Sequence, residues 1–462
     1  MNAQPLYNSF IKLALVLSLT VCTFTAAIAQ GTPPACVADP ESEDAVLEWN
    51  CRAVKYALSP TFAGALRQIR AMAIVQLAVS NSVNALSGKY ETYSRDKTNI
   101  PPENANEAAA AIGAAYQALY GIVTPTQRLQ LDAELTASLS VRGISSNDPS
   151  LTFGKNEGQN VVNIRTGDGS GPEAQCAWNY PTFSRRSPLD LYGAPGDWFR
   201  ILNVDTGVTP PPATPCWANL PTFVLRSADQ FPLESPPLVT DARYTQDFLE
   251  VKGLGGQNAD TSRQAWQTRI ADFWDGPPVG ITNQAIRQAA AAQHKELSDE
   301  SRALAMVYLA GVDASIACWF YKYDILFWRP ETAVNNAATD GNPGTNPLSG
   351  GQYWKPYLFP SHPHPEYPSG HSTNSGAMFA AAALVFGDNP GVTMRPTITR
   401  NGIVVTPEWE SFSEAIDEVV DARVYSGLHY RFTDEASADL GKRIARFVFT
   451  HSLTPCNGNS CK

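Results

Sequence analysis

The sequence predicts a mainly α-helical fold: a helical bundle, arranged as two packed bundles, with one long irregular excursion and one small β-hairpin. Three observations lead there. Apolar residues recur at three- and four-residue steps through two long blocks, about residues 43–139 and 240–451. Between them, residues 140–237 are rich in Pro, Gly, Asn and Ser and show no sustained period. The stretch TITRNGIVVT carries hairpin chemistry, with Asn401-Gly402 at its turn.

The N-terminus comes first. Lys12 precedes the apolar run LALVLSLTVCTFTAAIA, and Ala27-Ile28-Ala29 suits cleavage before Gln30. Residues 1–29 are therefore expected to be a signal peptide and the mature chain to be secreted or periplasmic. No later run reads as long and apolar enough to span a bilayer. Residues 30–239 are expected to form an N-terminal helical region with the excursion, and 240–462 a C-terminal bundle.

In the first block, ALRQIRAMAIVQLAVSNSVNAL and EAAAAIGAAYQALYGIV are helical runs, and Thr124 is placed to cap a helix opening at Pro125. The excursion contains two similar loops, CAWNYPTF from Cys176 and CWANLPTF from Cys216. The second block has helical segments at 246–252, 262–274 and 283–296, then a long one at 298–328. SGAMFAAAALVFG is a small apolar helix, and runs at 410–423 and 435–451 close the chain.

Composition narrows the function. The chain has 462 residues, 44% apolar and 17% charged, which suits a globular protein. A net charge of −10 without a basic stripe argues against a nucleic-acid partner, so any anion site must be built locally. Seven cysteines follow the signal, an odd number. Cys318, inside a helical run, is expected to be the buried free thiol. The other six suit three disulfides, simplest as 36–51, 176–216 and 456–461.

Histidine is concentrated. Three of the six lie in HPHPEYPSGHS: His362, His364 and His371. Prolines hold this run extended, and no carboxylate or cysteine stands at metal-binding spacing, so a multi-histidine cage is not expected. His362 is assigned to the surface. Upstream, Lys322 and Arg329 stand seven residues apart among aromatic residues. On a helix ending at Arg329 before Pro330 they would point the same way, and buried unpaired cations require an anion. Downstream, ARVYSGLHYRF supplies Arg423 and His429. Ser369-Gly370-His371 opens a helix, whose free N–H groups and Ser369 hydroxyl make an oxyanion cradle. Three cations, a cradle and two histidines suit a tetrahedral oxyanion, with His371 and His429 left for acid–base and nucleophile or ligand roles.

K-x6-R-P, P-S-G-H and R-x5-H, in that order, resemble the signature shared by type 2 phosphatidic acid phosphatases, bacterial acid phosphatases and vanadium-dependent haloperoxidases. FWRP, Trp319 ahead of Lys322, and His429-Tyr-Arg-Phe are similar to the haloperoxidase form. His364 stands where bromoperoxidases carry histidine and chloroperoxidases phenylalanine. The resemblance implies vanadate as cofactor, with His429 as its single protein ligand. Lys322, Arg329, Ser369, the Gly370 N–H and Arg423 would hold the equatorial oxygens, and His371 would manage protons at the apical one. It implies hydrogen peroxide, a halide (bromide before chloride) and a small organic acceptor as partners. The alternative is a secreted acid phosphatase with His429 as nucleophile in a phosphohistidine mechanism, and a non-catalytic oxyanion binder is the third. His364 would line the open side as an imidazole whose charge changes across neutral pH. Two positions depart from the signature: Ala422 replaces a serine, and Thr433 replaces the aspartate four residues after His429, with Asp434 one step later. Orientation of His429 by Asp434 is thereby put in question.

Overall fold

The structure is a computed structural model and describes residues 33, 36, 44–171, 194–257 and 261–456. The expected signal peptide lies outside the described residues, as does the first of the two similar loops. Among the described residues there are thirteen α-helices and one two-stranded antiparallel hairpin.

The first group of helices is α1 (Ala45–Ala57), α2 (Ala65–Ser87), α3 (Glu107–Ile122), α4 (Pro125–Val141) and α5 (Pro149–Ile164). Their starts follow from local chemistry. The Asp44 carboxylate accepts from the Val46 and Leu47 N–H groups, and Thr124 forms a capping box with Gln127 ahead of Pro125. Helix α5 lies inside the expected irregular excursion, so that expectation is corrected. Its sequence, PSLTFGKNEGQNVVNI, has few apolar residues to announce a helix. Packing forms it instead: a Cβ on Gly113 would lie 2.3 Å from the Leu151 carbonyl, and one on Gly154 2.1 Å from that of Ala110. The glycines let the α3 and α5 backbones approach closely, and the contact compensates for their low helix propensity.

The second group is α6 (Ala242–Leu254), α7 (Ala265–Phe273), α8 (Pro278–Gln293), α9 (Leu297–Ile325), α10 (Pro330–Asn336), α11 (Gly370–Phe386), α12 (Phe412–Tyr425) and α13 (Arg431–His451). Between α11 and α12, β1 (Ile398–Arg400) pairs with β2 (Ile403–Val405). Asn401 and Gly402 turn between them at φ 51° and 77°, as a two-residue primed turn requires.

Helix α9 is the axle of the molecule. It packs against α2 on one side and against α11 and α13 on the other. Buried side chains from α1–α3 share one continuous core with those of α8, α9 and α11–α13. Helices α2 and α9 are, by length and composition, apolar enough to cross a membrane, against the sequence-based expectation. Their most apolar windows are 83% and 94% buried inside the protein, as suits core helices. Helix α9 also ends earlier than expected: Leu326 adopts the left-handed conformation at φ 56°, which stops the helix at Ile325. Arg329 therefore sits not at the C-terminal end of α9 but at the N-cap of α10.

Asp313, in the middle of α9, anchors the excursion. Its buried carboxylate accepts from the N–H groups of Phe223, Val224 and Leu225 at 2.5, 2.7 and 2.9 Å. A disulfide joins Cys36 to Cys51 in α1. Cys216 and Cys456 are also disulfide-bonded, and their expected partners, Cys176 and Cys461, lie outside the described residues. Cys318 is a buried free thiol.

Candidate active site

Helices α9 and α11, the loop between α10 and α11, and the α12–α13 turn meet beside a cavity of about 230 Å³. His362, His364, Gly370, His371 and His429 line it, with Trp319, Asn374 and the first turn of α2. Residues 213–214 close one side: Trp319 Nε1 donates to Thr214 Oγ1 at 3.0 Å, and the Ala213 N–H donates to the Pro363 carbonyl.

Lys322, Arg329 and Arg423 lie behind this wall, at most 1% exposed. Lys322 Nζ donates to the carbonyls of Pro365 and Glu366 at 2.7 and 3.0 Å. Arg329 donates from Nη1 to the Leu428 carbonyl and from Nε to that of His364. Arg423 Nη1 donates to the Trp274 carbonyl, and its buried Nε has no partner. Among the described residues none of the three has a carboxylate within ion-pair distance. Backbone carbonyls alone are poor compensation for three buried charges. Burial first, then Arg329, brings Lys322 down to about 7.

Helix α11 opens at the cavity. The Gly370 and His371 N–H groups, in its first turn, have no acceptor among the described residues. A Cβ at Gly370 would lie 3.1 Å from the Trp319 ring, a tight contact that the ring would have to yield to. His371 Nε2 is buried without a partner, while the Gly276 carbonyl faces the same imidazole. The Ser369 oxygen caps the Ser372 N–H at the start of the helix, and its backbone N–H donates to Ser437 Oγ.

Asp434 does not touch His429. It accepts from Ser372 Oγ at 2.7 Å and holds the start of α11. The carboxylate on His429 belongs to Glu366, with Oε1 2.8 Å from Nδ1. Sequence reasoning missed Glu366. Its only signal was a lone acid two residues before the P-S-G-H run, and nothing local points it at a histidine sixty-three residues away.

His362, assigned from sequence to the surface, is only partly exposed. It lines the cavity and stacks on His364 with ring centroids 5.7 Å apart. His364 Nδ1 lies 2.9 Å from Arg329 Nη2 and 3.1 Å from the Pro365 carbonyl. One nitrogen cannot satisfy both. Guanidinium only donates and is closer, so Nδ1 accepts and the Nε2–H remains as donor. His364, His371 and His429 all titrate well below the ordinary histidine range, through burial first and then the neighbouring cations. Burial and the neighbouring Lys322 and Arg329 thus work against a charge on His364. No group of three or more His, Cys, Asp or Glu among the described residues is placed to hold a metal ion directly.

Residues 302–458 match the family model described as the VCPO second helical-bundle domain. The vanadium chloroperoxidase of Curvularia inaequalis is 26% identical over 280 residues, 46% of this chain and 44% of that protein, so the match spans less than half of that relative. A bacterial vanadium-dependent iodoperoxidase superposes with a TM-score of 0.68 at 22% identity, covering 92% of this chain and 99% of that one. The holo-type bacterial vanadium-dependent chloroperoxidase gives 0.66 at 20% identity, with 89% and 99% covered. Its three signature segments gather around one cavity in a fold shared with these vanadium-dependent haloperoxidases, and residues 302–458 are similar to the helical-bundle domain that carries the family model.

Proposed function

We propose that this chain is an exported vanadate-dependent haloperoxidase that uses hydrogen peroxide to oxidise a halide, bromide before chloride, and passes the product to a small organic acceptor. One observation carries it. Three fully buried cations without carboxylate partners surround two histidines whose Nε2 atoms are free of hydrogen-bond acceptors. A multiply charged oxyanion is well suited to compensate such a site.

The residues fit vanadate. Lys322, Arg329, Arg423 and the Gly370 and His371 N–H groups would hold its oxygens, and the lone pair of His429 Nε2 would be the protein ligand. Bound vanadate would supply the activation of peroxide toward halide. His371 Nε2, buried and unpartnered, accepts and returns the proton at the oxygen it faces. Its low basicity in the empty field of the cations rises when an anion neutralises them. His364 presents an N–H toward the cavity where halide or acceptor enters, and the bromide preference rests on that imidazole. The disulfide at Cys51 supports an oxidising compartment.

The test is a paired assay. Purified protein receives orthovanadate, peroxide and bromide with a phenolic dye, and separately an aryl phosphate without vanadate. Dye bromination that requires vanadate is expected. Aryl phosphate hydrolysis with no halide oxidation at any vanadate level would replace the proposal with the phosphatase.

A further inference from the structure

We infer that Glu366 is the positioning residue that sets the tautomer of His429 and ties the three segments of the site together. This rests on the reading above only in taking His429 Nε2 as the atom that meets the oxyanion.

The geometry is closed on both sides of the ring. Glu366 is fully buried. Its Oε1 lies 2.8 Å from His429 Nδ1 and accepts from the Tyr430 N–H at 3.2 Å. Its Oε2 bonds Thr433 Oγ1 at 2.9 Å. On the far side, Arg329 Nη1 stands 3.2 Å from His429 Nε2. A guanidinium has no acceptor, so Nε2 must carry the lone pair and Nδ1 the hydrogen. Glu366 Oε1 is then the acceptor that holds this tautomer and the ring plane. The opposite tautomer would put a hydrogen where an oxyanion's central atom must bind.

The backbone of the same residue joins the other segments. Its carbonyl accepts from Lys322 Nζ at 3.0 Å, and its N–H donates to the Phe327 carbonyl at 2.9 Å. Glu366 therefore touches the Lys322–Arg329 segment and the His429 segment while preceding the P-S-G-H run. The departure at Thr433 fits this arrangement. Where an aspartate would meet the histidine, a hydroxyl supports Glu366, and the displaced Asp434 holds Ser372. Partners of this kind on a ligating histidine typically change affinity or activity by about 10–100-fold.

The experiment uses the full chain with nitrogen-15-labelled histidine. Imidazole NMR reads the tautomer of His429, identified by its loss in His429→Ala, and calorimetry reads orthovanadate affinity. Wild type is expected to hold hydrogen on Nδ1. Glu366→Ala should shift the ring toward hydrogen on Nε2 and weaken orthovanadate by about tenfold or more. Glu366→Gln keeps an acceptor for both Nδ1 and the Tyr430 N–H, so it should restore the tautomer and most of the affinity. A wild-type ring protonated on Nε2 would overturn the inference. So would Glu366→Ala with both tautomer and affinity unchanged. The wild-type tautomer needs no variant, so a Glu366→Ala chain that does not fold leaves the test intact. Orthovanadate binding without halide oxidation would defeat the haloperoxidase proposal and leave the role of Glu366 standing.

Discussion

Replacing Lys322 with methionine should make the anion-free protein more stable at pH 6, by an amount that shrinks as pH rises. Lys322 is 0% exposed, and burial lowers it from an ordinary 10.5 to about 7. At pH 6 both folded and unfolded chains carry the proton, and the folded state bears the full penalty. At 1.4 kcal/mol for each tenfold change, that penalty is about 5 kcal/mol. Methionine removes it with nearly the same volume. The variant leaves the Pro365 and Glu366 carbonyls without their donor, an offset of about 1–3 kcal/mol. The variant should therefore be more stable by about 2–4 kcal/mol at pH 6. Between pH 7 and 9 the unfolded chain still binds the proton and the folded chain does not, so wild-type stability rises. It gains about 3 kcal/mol over that window, and the two proteins should be nearly equal at pH 9. Guanidinium denaturation followed by tryptophan fluorescence, in buffers free of phosphate and vanadate, measures the difference. Glu366 and Asp434, raised by burial to about 8 and 7, titrate in the same window and are coupled to Lys322, so the measured difference is the net of all three groups. A difference that stays constant from pH 6 to 9 would refute the picture of a desolvated, uncompensated ammonium.

The other predictions concern packing, chemistry and cysteine. Gly154→Ala should destabilise the first group of helices by about 1–3 kcal/mol, because its Cβ would meet the Ala110 carbonyl at 2.1 Å; denaturation reads this directly. His364→Ala should leave orthovanadate affinity nearly intact and change bromide turnover or its halide dependence, whereas His429→Ala should abolish vanadate-dependent activity. Steady-state kinetics beside calorimetry separates the two, and unchanged bromide kinetics in His364→Ala would return that residue to a wall of the cavity. Thiol titration of the denatured mature protein should give one thiol before reduction, from Cys318, and seven after. Seven before reduction would remove the case for an oxidising compartment.

What the sequence by itself determined was the helical class, the hairpin and the signature segments that the fold gathers beside one cavity. Those features are local. The period of apolar residues, the Thr124 cap and the Asn401-Gly402 turn act over a few positions, and signature residues keep their chemistry wherever the chain carries them. Tertiary structure decided the rest. Helix α5 exists because glycines on α3 and α5 admit a close backbone contact, which no pattern within residues 149–164 records. The α9 stop at Leu326 sets Arg329 beside His429 and His364 instead of in register with Lys322. His362 is brought to the wall of the cavity, and cations from other segments lower the basicity of His364 beside it. The partner of His429 was settled in the same way. Asp434 follows it closely in sequence, yet one residue of helix turns a side chain by about 100°. That rotation directs Asp434 to Ser372 and leaves the imidazole to Glu366, a residue brought in by the fold alone.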